Sequence, residues 1–90
     1  MIWVAIIVDL QARAQKRGVL SMWTIYDKPL DLPTGYVARR FEVEKGGPKP
    51  TNDMLQTPDL EMLRESFLQA GLTCLARDAE DHPNVVESWL

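Results

Sequence analysis

The sequence predicts an α+β fold: a small β-β-α-β-β domain with a mostly antiparallel four-stranded sheet, one helix over residues 58–70 on one face, and an N-terminal helix ahead of it. Three observations carry this reading. Short runs of aromatic and β-branched residues alternate with turn residues. One segment has strong helix punctuation and a 3.6-residue apolar period. The composition also changes at Ser21–Met22, from an apolar stretch with a basic tail to an acidic unit.

The first twenty-one residues form the leader. Met1 to Val8 is apolar at every position, and Gln11 to Arg17 is polar and helix-forming. Trp3, Ile6, Ile7, Leu10 and Ala14 share one helical face, and Gly18 is a stop signal. A signal peptide is disfavoured because no basic residue precedes the apolar block and Asp9 interrupts its end. A membrane anchor is disfavoured because the apolar run is half of the ~20 residues a span requires. The preferred reading is a helix packed loosely on the domain, or an upstream extension with synthesis starting at Met22. Residues 22–90 are then the single α+β domain.

Met22-Trp23-Thr24-Ile25-Tyr26 reads as the first strand, stopped at Asp27-Lys28-Pro29 because the residue before proline avoids helix. Asp31 to Gly35 reads as an irregular loop. Tyr36 to Val43 is the second strand, with Val37, Arg39, Phe41 and Val43 on one face and Tyr36, Ala38, Arg40 and Glu42 on the other. Lys45 to Pro50 is expected to be a mobile, turn-rich loop, and Met54-Leu55-Gln56 a very short edge strand.

The helix is the strongest signal. Thr57 is the expected N-cap, Pro58 suits the first turn, and Asp59 places a carboxylate at the positive end. Leu60, Leu63, Phe67 and Ala70 then line one side, and Gly71 is the stop. Leu72 to Ala76 is the third main strand, Arg77 to Asn84 a polar loop, and Val85 to Leu90 a last strand. Trp89 is expected in the core, which would make C-terminal truncation damaging.

Charge and cysteine usage narrow the function. The chain carries −3 overall, but residues 1–21 balance at +2 and residues 22–90 at −5. An acidic domain repels phosphate backbones, so nucleic acid is not an expected partner. The single cysteine, Cys74, admits no internal disulfide, and it points to a reducing, cytoplasmic setting. Its apolar surroundings in sequence suggest a buried, inert thiol.

Candidate chemistry is sparse. Asp78, Glu80, Asp81 and His82 form the densest group of metal-capable side chains. They lack the glycine and spacing of a calcium loop, and a solvated acidic turn explains them more simply. His82 has no obvious nucleophile beside it, so no catalytic residue is assigned and the protein is read as non-enzymatic, with no cofactor. Arg39 and Arg40 point to opposite faces of a strand, so one must face an apolar layer and needs a carboxylate. Asp27, Glu42 and Glu87 are candidates. A register-locking ion pair is the simpler reading; the functional one is an anion or small-ligand site at Arg39 or Arg40 beside Tyr36 and Trp89.

The segments Trp23-Thr24-Ile25-Tyr26-Asp27, Tyr36 to Phe41 and Val85 to Leu90 resemble a group of short, uncharacterised bacterial proteins of about seventy residues. The likeness covers residues 22–90. It implies no activity, cofactor or site.

One helix covers only one side of a sheet, so the other side requires an occupant. The sequence leaves two: the leader helix, or a second copy or protein partner. The expected function is therefore a protein-interaction or self-associating domain, such as a homodimer, with a small-ligand or anion module as the alternative.

Overall fold

The computed structural model describes residues 2–27, 35–77 and 82–90. Among these the chain runs α1 (Ile2–Lys16), β1 (Leu20–Asp27), β2 (Tyr36–Glu44), β3 (Gly47–Thr57), α2 (Leu60–Gln69), β4 (Cys74–Leu75) and β5 (Val85–Trp89). The α+β class stands, with five strands in the sheet in place of the expected four. Their order is β3-β2-β1-β5-β4, and every pairing is antiparallel.

The fifth strand is β3, whose second half contains the short edge strand expected at Met54-Leu55-Gln56. Its first half contains Gly47, Pro48 and Pro50, which read as loop in sequence. Those residues fit here because β3 pairs only with β2 and forms the sheet edge, where a strand tolerates a missing N–H. Prolines at such a position also block further strand addition. The expected strand Leu72–Ala76 shrinks to the two residues of β4, the opposite edge, and the last strand stops at Trp89.

Both helices end alike. In α1 Gly18 adopts φ 71°, the Val19 N–H donates to Ala14 C=O, and Gly18 N–H donates to Gln15 C=O. In α2 Gly71 adopts φ 87°, Leu72 N–H donates to Phe67 C=O, and Gly71 N–H donates to Leu68 C=O. These are Schellman closures, which need a left-handed residue that glycine supplies without strain. The start of α2 differs from expectation. Asp59 is the N-cap and accepts from the Glu61 N–H; Thr57 acts one step earlier, accepting the Asp59 N–H. Asp59 wins because its carboxylate also meets the positive helix end.

Residues paired across strands share a face. One row runs Arg40–Trp23–Trp89 and the next runs Leu55–Ala38–Ile25–Glu87. This is the helix face. Leu63 and Phe67 of α2 pack on it, and Phe67 lies 5.6 Å from both Trp23 and Trp89, ring centre to ring centre. Ile7 of α1 joins the same core and is fully buried, with Trp3 and Leu10 against it. The leader helix therefore packs beside α2 rather than covering the other side of the sheet. The Ser21–Met22 change in composition falls inside β1.

Among the described residues no helix is long and apolar enough to cross a membrane.

Candidate functional site

The residues suggested by sequence separate onto different parts of the fold. Arg40 lies on the helix face and is 5% exposed. Its Nε donates to Asp53 Oδ2 at 2.8 Å, one terminal nitrogen to Glu42 Oε2 at 3.0 Å, and the other to Ser21 Oγ at 3.1 Å. Each of the three guanidinium nitrogens thus has a partner, and the contacts join β1, β2 and β3. Of the three carboxylates expected for it, Glu42 is right. Glu87 instead takes Arg64 through both oxygens and also accepts from the Trp89 indole N–H. Asp53 was not legible. It arrives through a bulge: β2–β3 pairing shifts between Arg39↔Met54 and Phe41↔Pro50, so Thr51 to Asp53 loop toward Arg40.

The same network holds α1. Gln11 Nε2 donates to the Ser21 carbonyl at 3.0 Å, and Gln11 Oε1 accepts from Trp23 Nε1 at 3.1 Å and from Ser21 Oγ. Arg17, just past the helix, grips Glu42 with two nitrogens at 2.6 and 3.2 Å. Hydrogen bonds from Arg17 and then Arg40 hold the Glu42 carboxyl down at about 2. In Glu87, burial pushes the carboxyl up, but Arg64 and Trp89 outweigh it and the net direction is down.

Trp89 is buried against Phe67, and Tyr36 is half-buried beside the same core. Trp23 stands between Arg40 and Trp89 in their row, and Arg39 lies on the opposite face, so Arg39, Arg40, Tyr36 and Trp89 do not converge. Cys74 is exposed, not buried, because β4 is a two-residue edge. Partial desolvation, then the Glu87 carboxylate, push its thiol up, which disfavours the nucleophilic thiolate. Asp78 and Asp81, with Glu80, lie outside the described residues. His82 is exposed, and its Nδ1 accepts the Asn84 N–H at 3.2 Å. Among the described residues no group of three metal-capable side chains gathers.

What remains is the face away from both helices. Register places its residues in four rows. Leu20–Val43–Pro48 and Met22–Phe41–Pro50 are apolar throughout. Leu75–Ser88–Thr24–Arg39–Met54 crosses the whole sheet. Val85–Tyr26–Val37–Gln56 closes the far end, where Val37 and Val85 are buried. Leu20, Met54 and Leu75 are exposed, at 49%, 40% and 40%. A concavity of about 440 Å³ opens here, lined by Met22, Phe41, Pro48, Leu75 and Val85 with Thr24, Tyr26, His82 and Ser88. Sequence alternation identified the Val37–Arg39–Phe41–Val43 side. It gave no sign that this side, rather than the other, would be left open.

No family model, curated protein or solved structure matches the chain.

Proposed function

We propose that the protein is a non-enzymatic interaction domain that associates with a second copy of itself through the open sheet face. The observation that carries this is the pair of wholly apolar rows, Leu20–Val43–Pro48 and Met22–Phe41–Pro50, on the face that neither helix covers. Placed against its own image by a two-fold axis, such a patch is self-complementary. Edge pairing is the competing mode, and Pro48 and Pro50 oppose it on β3 while β4 is too short to template a strand. The open face is at most about 600 Å² by strand spacing and rise, since β4 and β5 are short and Thr24, Val37 and Val85 are already buried. That falls below the ~800 Å² per partner of a standard interface, so the dimer is reversible. The exposed, free Cys74 fits a reducing, cytoplasmic setting.

Sedimentation equilibrium over micromolar to millimolar protein tests this. The expected result is a monomer–dimer equilibrium that Phe41→Glu shifts to monomer while the circular dichroism spectrum is retained. A mass that stays monomeric at every concentration, or that Phe41→Glu leaves unchanged, overturns it.

A further inference from the structure

We infer that self-association through the open face is redox-sensitive: hydrogen peroxide switches it off by oxidising Met22 and Met54 to sulfoxides. This rests on the reading that a second copy covers that face, and it adds the regulation of the same contact.

The chain has four methionines, and Met1 lies outside the described residues. Two of the other three, Met22 and Met54, stand on the face that neither helix covers. Met22 belongs to the apolar row with Phe41 and Pro50. It is half-buried and lines the open concavity, so it is accessible to a molecule the size of peroxide. Met54 ends the next row beside Arg39 and is 40% exposed. Met62 is an internal reference. It lies on α2, on the other side of the sheet, and is 39% exposed. Its sulfur accepts a hydrogen bond from the Thr57 hydroxyl, as the Met54 sulfur does from the Gln56 amide. Met54 and Met62 are therefore matched in exposure and in a donor at sulfur, and they differ in the face they occupy.

The chemistry is a two-electron oxygen transfer. The thioether sulfur attacks one peroxide oxygen, the O–O bond breaks and an S–O bond forms. The second oxygen leaves as water with both peroxide protons. The product is a polar acceptor where the side chain was apolar. In the dimer it would lie against the apolar rows of the second copy, and an acceptor buried without a donor is costly. The effect is larger at Met22. Arg39, the cross-strand partner of Met54, carries N–H donors that a sulfoxide there can use, whereas the Phe41 and Pro50 side chains offer Met22 none. Two-fold symmetry places each sulfoxide in the contact twice. The contact also shields, because a thioether covered by the second copy is out of reach of peroxide.

The test uses the full chain carrying Cys74→Ser, which removes an exposed thiol from the peroxide chemistry. Hydrogen peroxide is pulsed at protein concentrations below and above the dimerisation midpoint found by sedimentation. Oxidation of each methionine is read by peptide mass mapping. Below the midpoint, Met54 and Met62 should oxidise at similar rates. Above it, Met22 and Met54 should slow by about threefold or more while Met62 keeps its rate. The oxidised protein should retain its circular dichroism spectrum and dimerise about tenfold or more weakly. Met22→Leu combined with Met54→Leu, a nearly volume-conserving pair, should dimerise alike before and after peroxide. Met22→Leu alone should preserve more of the dimer than Met54→Leu alone. Four results overturn the inference: equal rates for Met54 and Met62 in a protein that sedimentation shows to be dimeric, undiminished dimerisation after oxidation, loss of the circular dichroism spectrum, or dissociation of the oxidised double leucine variant. A dimer indifferent to peroxide loses only the redox control. A chain that is monomeric at every concentration before peroxide loses self-association as well.

Discussion

Glu42 sits between two guanidinium groups, one from the segment after α1 and one from its own strand. That placement joins the N-terminal helix to the sheet by charge as well as by packing. Its consequence for pH follows from the direction of the shift. The carboxyl moves from its ordinary 4.5 to about 2, so folding is favoured wherever the unfolded chain would still hold that proton and the folded one would not. This contribution is complete above 4.5 and is lost as pH falls through about 2. Urea midpoints measured between pH 6 and 2 should therefore fall more steeply in the parent than in Glu42→Gln, and the two curves should converge at the acid end. Parallel curves would show that the Arg17 and Arg40 contacts contribute nothing to stability. Arg40 illustrates the limits of sequence at this scale. That one of Arg39 and Arg40 faces inward, with Glu42 among three candidate carboxylates, followed from strand alternation, because the period of two is imposed by the backbone. Asp53 did not follow, because a bulge breaks that period and only the folded β2–β3 pair reveals it.

At the scale of elements, α1 and β3 depart most from what local sequence suggests. Fully buried Ile7 and Ala14, and the inward Gln11 bonding Ser21 and Trp23, make α1 part of the core layer. Ile7→Ala should then cost about 3 kcal/mol, the usual range for removing a buried isoleucine side chain. If α1 were an ornament on a self-sufficient domain, chemical denaturation would register almost no change. The second half of β3 was expected as an edge strand at Met54-Leu55-Gln56, but its first half was hidden by Pro48 and Pro50, which argue against a central strand and not against an edge strand. Whether a segment is an edge depends on the order of all five strands, and no local window contains that. The helix was the most legible element, since caps, stop and apolar period lie within a dozen residues of one another. Even there the cap moved from Thr57 to Asp59, a choice between two good capping side chains.

At the scale of the whole molecule, the core is a triangle of Trp23, Phe67 and Trp89 drawn from β1, α2 and β5. Leu90 closes it by exchanging backbone hydrogen bonds with Thr73 at 2.7 and 3.0 Å. Removing residues 89–90 deletes one corner and frees the Thr73 backbone. Truncating a buried tryptophan side chain costs about 3–5 kcal/mol, a large share of the stability of a chain this short. The truncated protein should lose its near-ultraviolet dichroism and cooperative thermal transition. Retention of both would place the last strand outside the cooperative unit. Both helices crowd onto one side of the sheet, and this asymmetry leaves the Leu20–Val43–Pro48 and Met22–Phe41–Pro50 rows uncovered.

The amino-acid sequence by itself determined the α+β class, the run of α2, the glycine stops at Gly18 and Gly71, the face assignment along β2 and the core position of Trp89. Each depends on periodicity or backbone chemistry within a few residues. Only the tertiary structure decided that α1 packs beside α2, that Asp53 rather than Asp27 or Glu87 joins Glu42 at Arg40, that Cys74 is exposed, and which sheet face stays open. Those outcomes depend on strand order, a bulge and the packing of elements distant in sequence, and such long-range terms leave no local signature.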